Sequence, residues 1–293
     1  MIKAQPGILS EETWLARYMT FSVVNQGEIQ SILEGLADFI DGENVVCGLS
    51  DVLLQTLGTN IEGLRIFPAL SGGGMAVPST PSAIWLWLRG NDRGELYHRG
   101  RQIESMLAPA FELEDVVDTF QYNTNRDLSG YEDGTENPHG QEAIEAAIVT
   151  GQGDGLDGSS FVAVQQWLHD FDRLEEMTVD ERDNAIGRHI SDNQEFDAPE
   201  SAHVKRTAQE SFTPEAFMLR RSMPWVEGAE GGLYFVAFAS SFYPFEAQLN
   251  RMLGCDDNII DGIFEFTRPV TGAYFWCPPV HEGKMDLSAL GLG

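Results

Sequence analysis

Two hydrophobic rhythms alternate along the chain. "YMTFSVVNQG" gathers β-branched and aromatic residues up to Gly27, and "EIQSILEGLADFID" then sets Ile29, Ile32, Leu33, Leu36, Ala37 and Ile40 at the spacing of one helix face. A strand followed by an amphipathic helix is predicted. "SAIWLWLRG" predicts a second strand, "ELYHRGRQIESMLAPAF" a second helix and "EDVVDTFQY" a third strand, with "GLRIFPAL" the candidate for a fourth. "PHGQEAIEAAIVTG" predicts a short helix stopped by Gly151, and "GQGDGLDGSS" a glycine-rich connector. The alternation then restarts: "SFVAVQQWLHD" reads as a strand, and "TVDERDNAIG" as a helix opened by a capping box from Thr178 to Glu181 and closed by Gly187. "GLYFVAFASSF", "PFEAQLNRML" and "GAYFWCPP" complete it as strand, helix and strand.

Each half therefore mixes antiparallel-type strands with helices in an order compatible with a β-α-β-β-α-β unit. The expected fold class is α+β: two antiparallel sheets with helices, one in residues 1–150 and one in residues 151–293. Length agrees, since 293 residues exceed or reach the ~250–300 at which single cores stop growing. No repeat of the sequence itself supports the duplication; it rests on element order.

Charge narrows the partners. With 46 acids against 18 bases, a formal net charge of −28, the chain lacks the electropositive face that nucleic acids and anionic membranes require. Cys47, Cys255 and Cys277 are widely spaced and odd in number, which fits a reducing compartment. The N-terminus "MIKAQPGILSEETW" has no apolar run behind Lys3, and no stretch of 18 apolar residues occurs. A cytoplasmic protein is expected, with open sheets that favour a homodimer or higher homo-oligomer.

"LSGYEDGTENPHG", residues 128–140, concentrates the chemistry. Glycines on either side of a short acidic segment let the backbone turn sharply and project Asp133 into a cavity. The six histidines form no H-x-x-x-H or H-E-x-x-H pair, so a zinc site of usual spacing is not expected. A cofactor needing one imidazole remains open, and haem iron is such a case. His203 follows turn residues in "DAPESAHVKR" and precedes Lys205 and Arg206. "AFMLRRSMPW" delivers Arg220 and Arg221 from an apolar run, where a guanidinium requires a partner.

Taken in order, "GYEDGTENP", "IGR" at 186–188, "SAHVKR", "LRRSMPW" and "FTRPVTGAYFWCP" resemble the dye-decolorizing peroxidases, in particular their bacterial B-type subfamily. The resemblance covers residues 120–278. It implies tandem ferredoxin-like units of the dimeric α/β-barrel-like superfamily and haem b as cofactor. It implies a haem peroxidase that reduces hydrogen peroxide and oxidises small organic donors by one-electron steps; a haem carrier or iron-releasing protein is the alternative. By similarity His203 is the axial iron ligand, Asp133 the distal acid, Arg220 the distal arginine, Ser222 a further distal position and Arg188 a propionate partner. Asp261, with Glu265 as rival, is the candidate carboxylate behind His203.

Overall fold

The computed structural model describes residues 3–123 and 125–292. The first half runs α1 (Pro6–Leu9), β1 (Leu15–Val23), α2 (Ile29–Phe39), β2 (Val45–Leu49), α3 (Asp51–Leu57), the hairpin β3 (Leu70–Gly72) and β4 (Met75–Val77), β5 (Ile84–Gly90), α4 (Arg93–Leu107), β6 (Phe111–Phe120) and α5 (Gly140–Ala147). The second runs β7 (Ser160–His169), α6 (Phe171–Glu176), α7 (Val179–Ile186), α8 (His203–Arg206), β8 (Leu219–Arg220), β9 (Met223–Glu227), β10 (Glu230–Ala239), α9 (Tyr243–Met252), β11 (Thr267–Pro269) and β12 (Ala273–Cys277).

The expected two sheets are one. Strands close in the order β2-β5-β1-β6-β9-β10-β7-β12 and back to β2, every pair antiparallel. Each half ends in an edge strand with unpaired amides, and the two halves satisfy these in each other. One seam pairs Thr119 with Trp225, the other Leu49 with Trp276. Within each half the strands follow the same spatial order: second, third, first, fourth.

The second strand of the first half is β2, "VVCGL", and not "GLRIFPAL", which is irregular up to Leu70. All five β2 residues are buried, so no alternation marks them. Phe67 of the irregular segment instead packs edge-on against Tyr274, with ring centroids 5.0 Å apart.

Period-two alternation divides the core. Tyr18, Trp85, Trp87, Tyr234, Val236, Phe238 and Phe275 fill the barrel interior. Their neighbours Ile84, Leu86 and Leu88 face outward, against Ile29, Leu33 and Leu36 of α2 and Ile103 and Leu107 of α4. In the second half the outward residues of β7 and β10 meet only α9 and shorter elements, and a cavity remains there.

Three contacts fasten the 127–140 loop over that cavity. Asp127 accepts from buried His169 Nε2 at 2.9 and 3.0 Å. The Tyr131 hydroxyl donates to Asp183 of α7 at 2.5 Å. The Asn137 amide donates to the Arg220 carbonyl at 3.0 Å while its oxygen accepts from the Arg220 N–H at 2.9 Å. Gly130 and Gly134 have φ of 95° and 74°, left-handed angles that let the loop turn between these anchors.

The capping box on α7 forms as expected, and Gly187 closes the helix at φ 95°, packed so tightly on α8 that a Cβ would overlap Val204. Gly187→Ala should therefore lower stability by about 1 kcal/mol or more, read from urea unfolding midpoints. For Asp127, burial pushes the carboxyl up, but the charge and hydrogen bond of His169 and the Ser129 N–H outweigh it and hold it below the ordinary range. A depressed folded value stabilises the fold above the unfolded pKa of about 3.9, and this is lost as pH falls through the folded value. Asp127→Asn should thus be less stable than the parent at neutral pH and lose less stability on acidification from about pH 5 to 2. Urea midpoints across that series check it.

Candidate active site

The cavity measures about 700 Å³, within the ~300–1,000 Å³ typical of cofactor and small-molecule sites. Leu233 and Phe235 of β10, Phe245 and Leu249 of α9, and Phe266 give it apolar walls. Alternation explains the wall from β7: Gln165, Trp167 and His169 point outward into it, whereas Val162 and Val164 point into the barrel.

His203 opens α8 and lines the cavity. Its Nδ1 lies 2.7 Å from Oδ2 of Asp261, whose side chain is fully buried and whose other oxygen accepts from the Ile263 N–H at 3.0 Å. An ionised carboxylate only accepts, so Nδ1 carries the proton and Nε2 is left with its lone pair. No hydrogen bond to Nε2 occurs among the described residues. Gly262 N–H donates to Ser201 O at 2.7 Å, tying the Asp261 segment to the one that carries His203. Arg206 forks onto Asp257 at 2.7 and 2.8 Å and holds α8 against the end of α9. Glu265 is turned outward to Arg173, so Asp261 is the carboxylate in contact with the imidazole.

Asp133 and Arg220 line the same cavity, with Arg220 NH2 3.7 Å from Asp133 Oδ1. The Gly134 N–H donates to that same oxygen at 2.7 Å. Ser222, expected beside them, does not line the cavity. Its buried hydroxyl accepts from the Val236 N–H at 3.3 Å where the ladder is interrupted between β8 and β9, standing in for a backbone carbonyl. Arg221 donates to the Ile8 and Leu9 carbonyls instead of entering the cavity. Arg188 is in the cavity rim, 2.7 Å from Glu136 and 2.5 Å from Glu195, and both carboxylates are exposed.

Asp127, His169 and Thr267 also line the cavity; Thr267 lies inside "FTRPVTGAYFWCP", but no sequence motif announces Asp127 or His169. His169 Nδ1 meets Thr267 Oγ1 at 2.7 Å. The only signal is that His169 falls on the outward phase of β7. Gln165, 1% exposed, has its Oε1 occupied by the Trp167 indole at 3.2 Å, and its Nε2 finds no partner among the described residues. A buried donor without a partner in a cavity wall marks where a bound group would complete the structure.

Haem fits these residues. The cavity has apolar walls of sufficient volume, one imidazole nitrogen free to ligate, an orphaned donor in one wall and the bases Arg188 and Lys205 at its rim. Among the described residues no group of three or more His, Cys, Asp and Glu could hold a metal ion.

Residues 124–282 match the family model "Dyp-type peroxidase, C-terminal". The chain is 31% identical over 292 residues to a dye-decolorizing peroxidase of Rhodococcus erythropolis, covering 92% of this chain and 85% of the relative. Among solved structures, a dye-decolorizing protein from V. cholerae superposes with a TM-score of 0.85 at 26% identity, covering 98% of this chain and 99% of the other. A variant of Rhodococcus jostii DypB in complex with heme superposes with a TM-score of 0.83 at 26% identity, covering 93% and 95%. Family model, overall identity and the closed sheet agree: the chain belongs to the dye-decolorizing peroxidases.

Proposed function

We propose that the protein is a haem b peroxidase of the B-type subfamily, reducing hydrogen peroxide and oxidising organic donors one electron at a time. The observation that carries this is one cavity holding both an imidazole fixed through Nδ1 to a buried carboxylate and an Asp133–Arg220 pair. Bound haem supplies an iron that exchanges electrons with peroxide and donors. His203 Nε2 would ligate it, and Asp261 would orient the ring and enrich its electron density.

The remaining residues act on protons and charge. Peroxide must lose a proton from one oxygen and gain one on the other before water leaves, and a single carboxylate in reach can carry it between them. Asp133 is that group. The Arg220 guanidinium offers only hydrogen-bond donors, so it stabilises negative charge on the departing oxygen and holds the carboxylate in place. Arg188 would turn from Glu136 or Glu195 to a propionate. The repeated strand order supports reading the halves, divided near residue 150, as tandem ferredoxin-like units.

His203→Ala should lose the haem Soret band on purification or exchange haem freely. Asp133→Ala and Arg220→Ala should keep haem and slow the peroxide step by about 10²–10⁴-fold, followed by stopped-flow absorbance. Unchanged rates in both distal variants would reject the assignment; rapid porphyrin exchange with negligible turnover in the parent would favour a haem carrier.

A further inference from the structure

The segment from Gln5 to Glu12 joins no strand of the ring, yet it is fastened at several points. The fully buried Gln5 side chain donates to Cys47 O at 2.8 Å and to Pro278 O at 3.0 Å. Gly7 of α1 sits so close to Arg89 of β5 that a Cβ there would lie 2.9 Å from its guanidinium. Arg221 Nε donates to Ile8 O at 3.1 Å, and Arg89 NH2 to Glu11 O at 2.5 Å. These anchors fix where the next side chain goes. It is that of Glu12, partly buried and outside the cavity lining.

Glu12 lies among the charges of Arg221, Arg89 and Asp133, and the Asn125 side chain donates to its carboxylate. Its own charge reaches buried Tyr18 of β1. The Asn125 amide also donates to Asp133 O at 3.3 Å, while the Asp133 N–H donates to Asn125 O at 2.9 Å, so one residue touches both acids. A second carboxylate and guanidinium thus stand behind the Asp133–Arg220 pair. The acids next to Asp133 in sequence are engaged elsewhere, Glu132 with Arg126 and Asn193, Glu136 with Arg188. Burial pushes the Glu12 carboxyl up; Arg221, Arg89 and Asn125 pull it down, Asp133 pushes it up again, and the sum stays above the ordinary glutamate value.

Reducing peroxide to two waters consumes two electrons and two protons. The shuttle at Asp133 moves a proton from one oxygen to the other and adds none, so both must be brought in. On the strength of the peroxidase reading above, we propose that Glu12 supplies protons to the cavity through Asp133. Its O–H bond breaks, the proton passes to a carboxylate oxygen of Asp133, and Asp133 hands it to the oxygen left in the cavity once the first water has gone. Two such transfers, each matched by one electron from an organic donor, complete the second water. Glu12 regains its proton from solvent each time. It acts only through Asp133, and the four anchors of its segment hold it within reach.

The test uses holoenzyme and hexaammineruthenium(II), a donor that brings an electron without a proton. Stopped-flow absorbance follows the Soret band as peroxide shifts it and saturating donor restores it. Glu12→Gln should slow the return about 10-fold more than the peroxide step, and Glu12→Asp, which keeps an acid there, should recover part of the loss. Equal slowing of both steps, a return as fast as the parent's, or no recovery in Glu12→Asp overturns the proposal. A second readout is infrared absorption with isotope-labelled glutamate. One protonated-carboxyl band, absent from both variants, should persist in the parent to higher pH than the other glutamates, and the parent's return should slow as pH rises through the range where that band disappears. A band lost together with the others, or a return rate flat across its loss, overturns the proposal whether or not Glu12→Gln folds. A parent Soret band that ignores peroxide overturns the peroxidase reading and the proposal with it.

Discussion

The pairing of the Asn137 side chain with the backbone of Arg220, at 3.0 and 2.9 Å, sets the relation on which the site depends. An amide side chain offers one donor and one acceptor in the geometry of a peptide group, so Asn137 extends the ladder as if a strand lay beside β8. That fixes the loop carrying Asp133 to the strand carrying Arg220, and the two side chains meet at 3.7 Å across what would otherwise be separate pieces of chain. Asp127, bonded to His169 of β7, and Tyr131, bonded to Asp183 of α7, hold the rest of the loop. A functional loop gains precision from rigid elements in this way.

Much of this was legible in local sequence, and the remainder was not for identifiable reasons. The 3.6 periodicity of Ile29, Leu33, Leu36 and Ile40 and the Thr178 to Glu181 capping box depend on neighbours a few positions away, and both formed as read. β2 escaped because a strand buried on every side has no alternation. The single closed sheet escaped because its seams join residues more than a hundred positions apart, Thr119 to Trp225 and Leu49 to Trp276. At the site, motifs located Asp133, His203 and Arg220, which line one cavity, and Asp261, which touches His203. They placed Ser222 too near it, since spacing gives no hint that its hydroxyl is taken by the Val236 N–H. The His169 contact to Asp127 spans 42 residues and carries no motif at all.

The halves share strand order but not their outer layer. α2 and α4 are long enough to cover the first half with Leu, Ile and Met side chains, whereas α6, α7 and α8 are six, eight and four residues long. Short helices cannot fill the same volume, and the cavity is what they leave. It is lined where alternation happens to present Gln165, Trp167 and His169, polar or amphipathic residues on a face that carries Ile84, Leu86 and Leu88 in the other half.

Closure of the sheet also governs how the chain behaves among its own copies. Residues 84–88, Ile-Trp-Leu-Trp-Leu, combine high β-propensity with no charge and no proline, the makings of a cross-β seed. In the ring they are bonded by β1 on one side and β2 on the other, beyond the reach of any neighbour. Freedom from fibril formation is therefore topological before it is electrostatic, and it lasts as long as the two narrow seams stay shut.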